Sequence, residues 1–264
     1  MSDLPRLCIF GDSHYACVKQ AEVQGLVDVH GVELEYWGHV GGRFRYLEFR
    51  DGAVHPVDDF TARRFAKFNA KGRLFLPAAD FDAILVMGAR VYVWRLFHRL
   101  LRHLTEGPFL SRGLERRILT DGLRGQAGYR LAAGLAGTGT ARVILAPVAY
   151  YTFDTERFGE ALTPGMAAIL PEAVARFWRV LQEAAADDGI LLLPQPPETV
   201  VAGLYTAADL AVADHLAKQD FEHHNAGYGA AILSRALDIA RRVPRRAGLQ
   251  RAGAAGKMAE GSEV

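Results

Sequence analysis

Cysteine is scarce in this chain, with two residues, Cys8 and Cys17, among 264. One lies in an apolar run and the other in a helical stretch, with no CxxC pair and no histidine spacing suited to zinc. Neither a disulfide framework nor a zinc site is therefore expected. An excess of charge is lacking too: Lys plus Arg number 31 against 30 for Asp plus Glu, a net charge of +1. That balance argues against a nucleic-acid partner. No stretch free of these four residue types reaches the roughly 18 residues of a bilayer span, so no membrane span is expected. The opening Met1 to Arg6 has no basic region leading into an apolar run, so a secretory signal is not expected and a cytoplasmic location is. No GxGxxG follows the first apolar run and no Walker-type phosphate loop occurs, which counts against a nucleotide enzyme. The sum of these absences is the expectation of a protein with no cofactor and no metal.

What is present is a foldable chain of 28.9 kDa, 50% apolar and 23% charged, enough for one large domain with a sizeable core. Short apolar runs closed by turn residues predict strands over Arg6–Phe10, Val32–Trp37, Asp82–Met87, Val143–Val148 and Ile190–Leu193. Helical periodicity between them predicts helices over His14–Gln24, Arg90–Leu104, Ser111–Leu123, Pro171–Ala186 and Ala226–Arg242. Strands alternating with helices predict a parallel sheet covered on both faces, with ligands at the C-terminal ends of the strands. The domain is expected over residues 1–243, with insertions at about 43–80 and 106–139 near the functional edge. Asp51-Gly52 in the first insertion reads as a tight hairpin turn. From Pro244 to Val264 the composition of Pro, Arg, Ala and Gly predicts a disordered tail.

The chemistry concentrates at the turn after the first strand. Ile9-Phe10-Gly11-Asp12-Ser13-His14 sets a serine between a buried strand and a helix, where helix N–H groups and a positive partial charge favour an attacking oxygen. The same serine could simply cap the helix. Near the other end, Asp220 precedes His223 by three residues. It can turn back within one loop to accept the Nδ1 proton, which leaves Nε2 free as a base.

Taken together, Phe10-Gly11-Asp12-Ser13-His14 and Asp220-x-x-His223-x-Asn225-x-Gly227-Tyr228 resemble the first and last blocks of the SGNH (GDSL-like) hydrolase superfamily, over roughly Arg6–Arg242. The resemblance implies a flavodoxin-like three-layer α/β/α fold of about five parallel strands, no metal, and serine-based acyl transfer. It implies Ser13 as nucleophile, His223 as base and Asp220 as its partner. It also implies an oxyanion donor at Gly41 or Gly42, with Asp12, His14 and Asn225 as further site positions. One block departs: Met87-Gly88-Ala89-Arg90 has arginine where the family carries asparagine. Arg90 could bind an oxyanion or an acidic substrate group, or pair with a carboxylate and stay outside the chemistry.

The expected activity is hydrolysis of an O-acyl ester on a carbohydrate or other small polar molecule. A first alternative is an O-acyltransferase of glycan or capsule biosynthesis, because His14 after Ser13 resembles the GDSH variant of domains attached to membrane acyltransferases. A second is a non-catalytic binding protein of the same fold. Arg95, His98, Arg99 and Arg102 form one basic helix face, read as solvated or, alternatively, as a surface for an acidic ligand. Trp94, Phe97, Leu101 and Leu104 are read as the opposite face.

Overall fold

A computed structural model describes residues 4–39, 41–69, 71–154 and 162–244. Of the tail predicted from Pro244, residues 245–264 lie outside the described residues.

Five all-parallel strands make the central sheet: β1 (Arg6–Gly11), β2 (Glu33–Gly38), β6 (Ala83–Gly88), β7 (Arg142–Pro147) and β8 (Ile190–Leu192). Their spatial order is β2-β1-β6-β7-β8, the flavodoxin-like order 2-1-3-4-5 with its switch point between β1 and β6. Both faces of the inner strands β1, β6 and β7 are covered, which is why they read as apolar runs, whereas edge strand β2 carries Glu33 and Glu35. Leu7, Ile9, Leu85 and Ile144 point to one face, where α1 (Ala16–Val23) and α8 (Ala226–Arg242) pack. Cys8, Phe10, Ile84, Val86 and Leu145 point to the other. That face is covered by α3 (Val93–Glu106), α4 (Arg112–Arg124), α5 (Ala127–Gly137) and α6 (Pro164–Asp187). The result is three layers. Among the described residues, no helix is long and apolar enough to cross a membrane.

Within residues 41–69 and 71–80 lies a small antiparallel sheet of β3 (Leu47–Arg50), β4 (Ala53–Pro56) and β5 (Leu76–Pro77), with α2 (Asp59–Lys67) alongside. Asp51 and Gly52 close the predicted hairpin with φ of 51° and 74°, the twist a two-residue turn requires. The stretch 106–139 supplies α4 and α5, whose Leu119, Leu123, Tyr129, Leu131 and Leu135 belong to the core. It thus serves as a layer of the fold as well as a connection. Glu115 on α4, almost fully buried, accepts both Nε and Nη2 of Arg176 on α6 at 2.8 and 3.0 Å.

Two helices start three or more residues away from where the sequence reading puts them. The helix expected from Arg90 starts at Val93, because Gly88, Ala89 and Arg90 all have positive φ and cannot be helical. The helix expected from Pro171 starts a full two turns earlier, at Pro164, capped by Thr163. Pro171 sits inside it rather than opening it.

Candidate active site

β1 ends at Gly11, and Ser13 begins a single 3₁₀ turn, Ser13–Tyr15, before α1. The cap of this turn is Asp12, not Ser13: its buried carboxylate accepts the His14 N–H at 3.3 Å through Oδ1. Ser13 is exposed, and its hydroxyl is free of the capping role that the sequence left open.

The segment before α8 meets it. Ser13 Oγ lies 2.8 Å from His223 Nε2, and His223 Nδ1 lies 2.9 Å from both oxygens of Asp220. Asp220 Oδ1 also accepts the backbone N–H groups of His223 (3.1 Å) and Glu222 (3.3 Å), so the loop is turned back upon its own carboxylate. Burial alone would raise the Asp220 pKa, but the hydrogen bonds from the His223 ring and backbone outweigh it and hold the carboxyl below its ordinary range. The two chain ends are brought together by α1 and α8. A side chain at Gly229 would strike the Cys17 carbonyl oxygen at 2.1 Å, so this contact between helices needs a glycine.

His14 is buried against this line and stacks on His223, with ring centroids 5.0 Å apart and 19° between planes. Burial lowers its pKa against the opposing pull of the Asp12 carboxylate, so it sits neutral beside the base. His224 points the other way: it is buried against Tyr228, its Nε2 has no hydrogen-bond partner among the described residues, and burial pushes its pKa down to about 3.

Arg90 comes to the same edge from the end of β6. Its backbone N–H donates to Asp12 Oδ2 at 3.1 Å. The turn that carries it has φ of 69°, 50° and 58° at Gly88, Ala89 and Arg90, a conformation costing about 1–2 kcal/mol per non-glycine residue. The surroundings hold it there. Tyr92 N–H donates to Gln126 Oε1 at 2.6 Å, and Gly128 lies so close that a Cβ would stand 1.9 Å from the Ala89 oxygen. The Arg90 guanidinium makes no ion pair with a described residue and lies 5.6 Å from the Tyr92 ring centroid. Gly41 sits beside it, with space for a Cβ only 3.8 Å from Nη1, whereas Gly42 faces open space.

Asn225 is not at this junction. Its Oδ1 caps α8 by accepting Gly227 N–H at 2.9 Å, and its Nδ2 donates to the Asp209 carbonyl. Tyr151 and Glu222 were not singled out in the sequence yet stand next to His223, joined by a hydrogen bond from Tyr151 Oη to Glu222 Oε1 at 2.9 Å. Their only signal was position: Tyr151 follows the C-terminal end of β7, the edge where ligands bind. Among the described residues, no group of three or more His, Cys, Asp or Glu could hold a metal ion.

No model of a known protein family matches the chain, and no curated protein matches it. Among solved structures, a catalytic mutant of Axe2, an acetylxylan esterase from Geobacillus stearothermophilus, is similar at 15% identity, a TM-score of 0.38, and coverage of 92% of this chain and 96% of that one. A second Axe2 mutant, described as an acetyl-xylooligosaccharide esterase, is similar at 16% identity and TM-score 0.40, covering 92% and 97%. A DUF4886 family protein from Bacteroides uniformis is similar at 12% identity and TM-score 0.40, covering 92% and 87%.

Proposed function

We propose that this chain is a serine esterase that removes an O-acyl group from a carbohydrate or other small polar ester through an acyl-enzyme. The observation that carries the reading is the hydrogen-bonded line from Ser13 Oγ through His223 to Asp220. An ionised carboxylate only accepts, so the proton of the neutral imidazole resides on Nδ1 and Nε2 accepts from the serine hydroxyl.

As Oγ attacks the ester carbonyl carbon, its proton passes to Nε2 and Asp220 stabilises the resulting imidazolium. The carbonyl oxygen becomes an anion. The donors proposed to meet it are the backbone N–H groups of Ser13 and Gly41, with the Arg90 guanidinium adding a fixed positive charge. Collapse breaks the bond to the alcohol, which leaves with the proton held on Nε2. Water then attacks the acyl-enzyme, giving its proton to His223, and the free acid departs as Ser13 regains its hydrogen.

Hydrolysis of a small chromogenic acetyl ester tests the reading. The wild type should release the chromophore, and Ser13→Ala should not while keeping the wild-type circular dichroism spectrum. An inert wild type, or a Ser13→Ala variant as active as the wild type, contradicts it.

A further inference from the structure

A groove of about 490 Å³ runs along α3 beside the proposed catalytic loop, within the ~300–1,000 Å³ typical of ligand pockets. Trp94, Tyr151 and Tyr205 give it aromatic walls, and the Trp94 and Tyr151 rings lie 4.2 Å apart. Arg95, Arg99 and Arg102, at i, i+4 and i+7, form a row of exposed guanidiniums along the same groove. The sequence placed Trp94 opposite this basic row; it lines the same groove instead, next to Arg95, whose guanidinium lies 5.3 Å from the indole centroid.

The charges are poorly matched from within. Arg95 stands 3.6 Å from Glu222, while Arg99 and Arg102 make no ion pair with a described residue. His98, between Arg95 and Arg99 in sequence, has its pKa lowered by burial and then by the Arg102 charge, so the groove's positive charge at neutral pH belongs to guanidiniums. A row of unmatched guanidiniums beside flat aromatic walls suits a ligand that carries carboxylates on rings.

The groove also leads to the site. Tyr151 lines both this groove and the depression around Asp220 and His223. Arg95 and Arg90 share the ring of Tyr92, at 4.1 and 5.6 Å from its centroid. The cationic row therefore continues towards Ser13.

We propose that this groove binds the acidic chain of an O-acylated anionic glycan, its carboxylates on Arg95, Arg99 and Arg102 and its ring faces on Trp94, Tyr151 and Tyr205. This rests on the esterase reading for the acyl group, but not for the binding itself. A neutral oligosaccharide has no use for the guanidinium row, and an acidic peptide has no ring faces for the aromatic walls.

Isothermal titration of the full chain carrying Ser13→Ala tests it, using an unesterified galacturonate tetramer, a xylose tetramer and a glutamate tetrapeptide as probes. The galacturonate tetramer should bind, more weakly as salt is raised, and the other two should bind at least tenfold less tightly. Arg99→Ala/Arg102→Ala added to the Ser13→Ala chain should weaken the acidic tetramer at least tenfold, and the same pair with Ser13 intact should leave hydrolysis of a small neutral acetyl ester at the wild-type rate. Equal binding of the xylose tetramer, tighter binding of the peptide, or unchanged affinity in the double variant overturns the proposal. Binding is read without turnover, so galacturonate binding to a protein that hydrolyses no ester would support the groove and sink the esterase reading alone.

Discussion

The Asp12 carboxylate accepts the Arg90 backbone N–H at 3.1 Å, and so ties the turn after β1 to the strained turn after β6. Its other oxygen accepts the His14 N–H. One buried group thus fixes Ser13, which lies between Asp12 and His14 in the first turn, relative to Arg90. Removing it leaves two N–H groups without their acceptor, each costing about 1–3 kcal/mol where it stays dry. Asp12→Ala should lose about 2 kcal/mol or more, read as a shift in the urea midpoint, and Asp12→Asn, which keeps an acceptor, should lose less. A midpoint equal to the wild type in Asp12→Ala would show that the two turns hold themselves.

Arg90 separates the oxyanion role from the other two that the sequence left open. Its guanidinium has no carboxylate partner among the described residues, so Arg90→Ala should leave the melting temperature nearly unchanged. If the side chain meets the developing oxyanion, kcat and kcat/KM should fall together by ~10²-fold, for charged and neutral esters alike. Arg90→Asn should restore part of that loss, because asparagine tolerates the positive φ and offers an amide donor. A rise in KM confined to anionic esters would instead assign Arg90 to substrate binding.

His224 gives the fold an acid-sensitive point. Its folded pKa is about 3, well below the ordinary 6.5, so the unfolded chain takes up a proton there before the folded one does. The stability from its neutral burial is complete above about pH 6.5 and is lost progressively as pH falls towards 3. His14, lowered in the same direction, adds to the same limb. His224→Phe keeps a ring against Tyr228 and removes the titration, so its melting temperature should fall less between pH 7 and pH 4.5 than that of the wild type. Equal slopes would place the acid sensitivity elsewhere.

The strands and the last helix were legible because their signals are local. Arg6–Gly11 and Ala83–Gly88 are apolar runs closed by glycine, and Ala226–Arg242 carries its own helical periodicity; Asn225, read by resemblance as a site position, caps it instead. The start of α3 was not legible. Periodicity continues smoothly back to Arg90, and contacts distant in sequence hold the turn out of the helix: Arg90 N–H donates to Asp12, 78 residues away, and Tyr92 N–H donates to Gln126, 34 residues away. Pro171 misled for a related reason: proline favours a first turn, but here the helix tolerates it eight residues in. At the site, Ser13, Asp220 and His223 stood out by residue type and spacing. Tyr151 did not, because its proximity to His223 comes from how the chain beyond β7 folds over, and Glu222, although adjacent to His223, is marked out only by its hydrogen bond from Tyr151, 71 residues away.

The central claim is that His223 makes Ser13 a nucleophile, and a covalent trap reads that directly. Intact-mass spectrometry after exposure to diisopropyl fluorophosphate should show one adduct per wild-type chain, Ser13 Oγ having displaced fluoride from phosphorus. Ser13→Ala should show none, and His223→Ala should react orders of magnitude more slowly. An unlabelled wild type, or an adduct that persists in Ser13→Ala at the wild-type rate, would contradict the account.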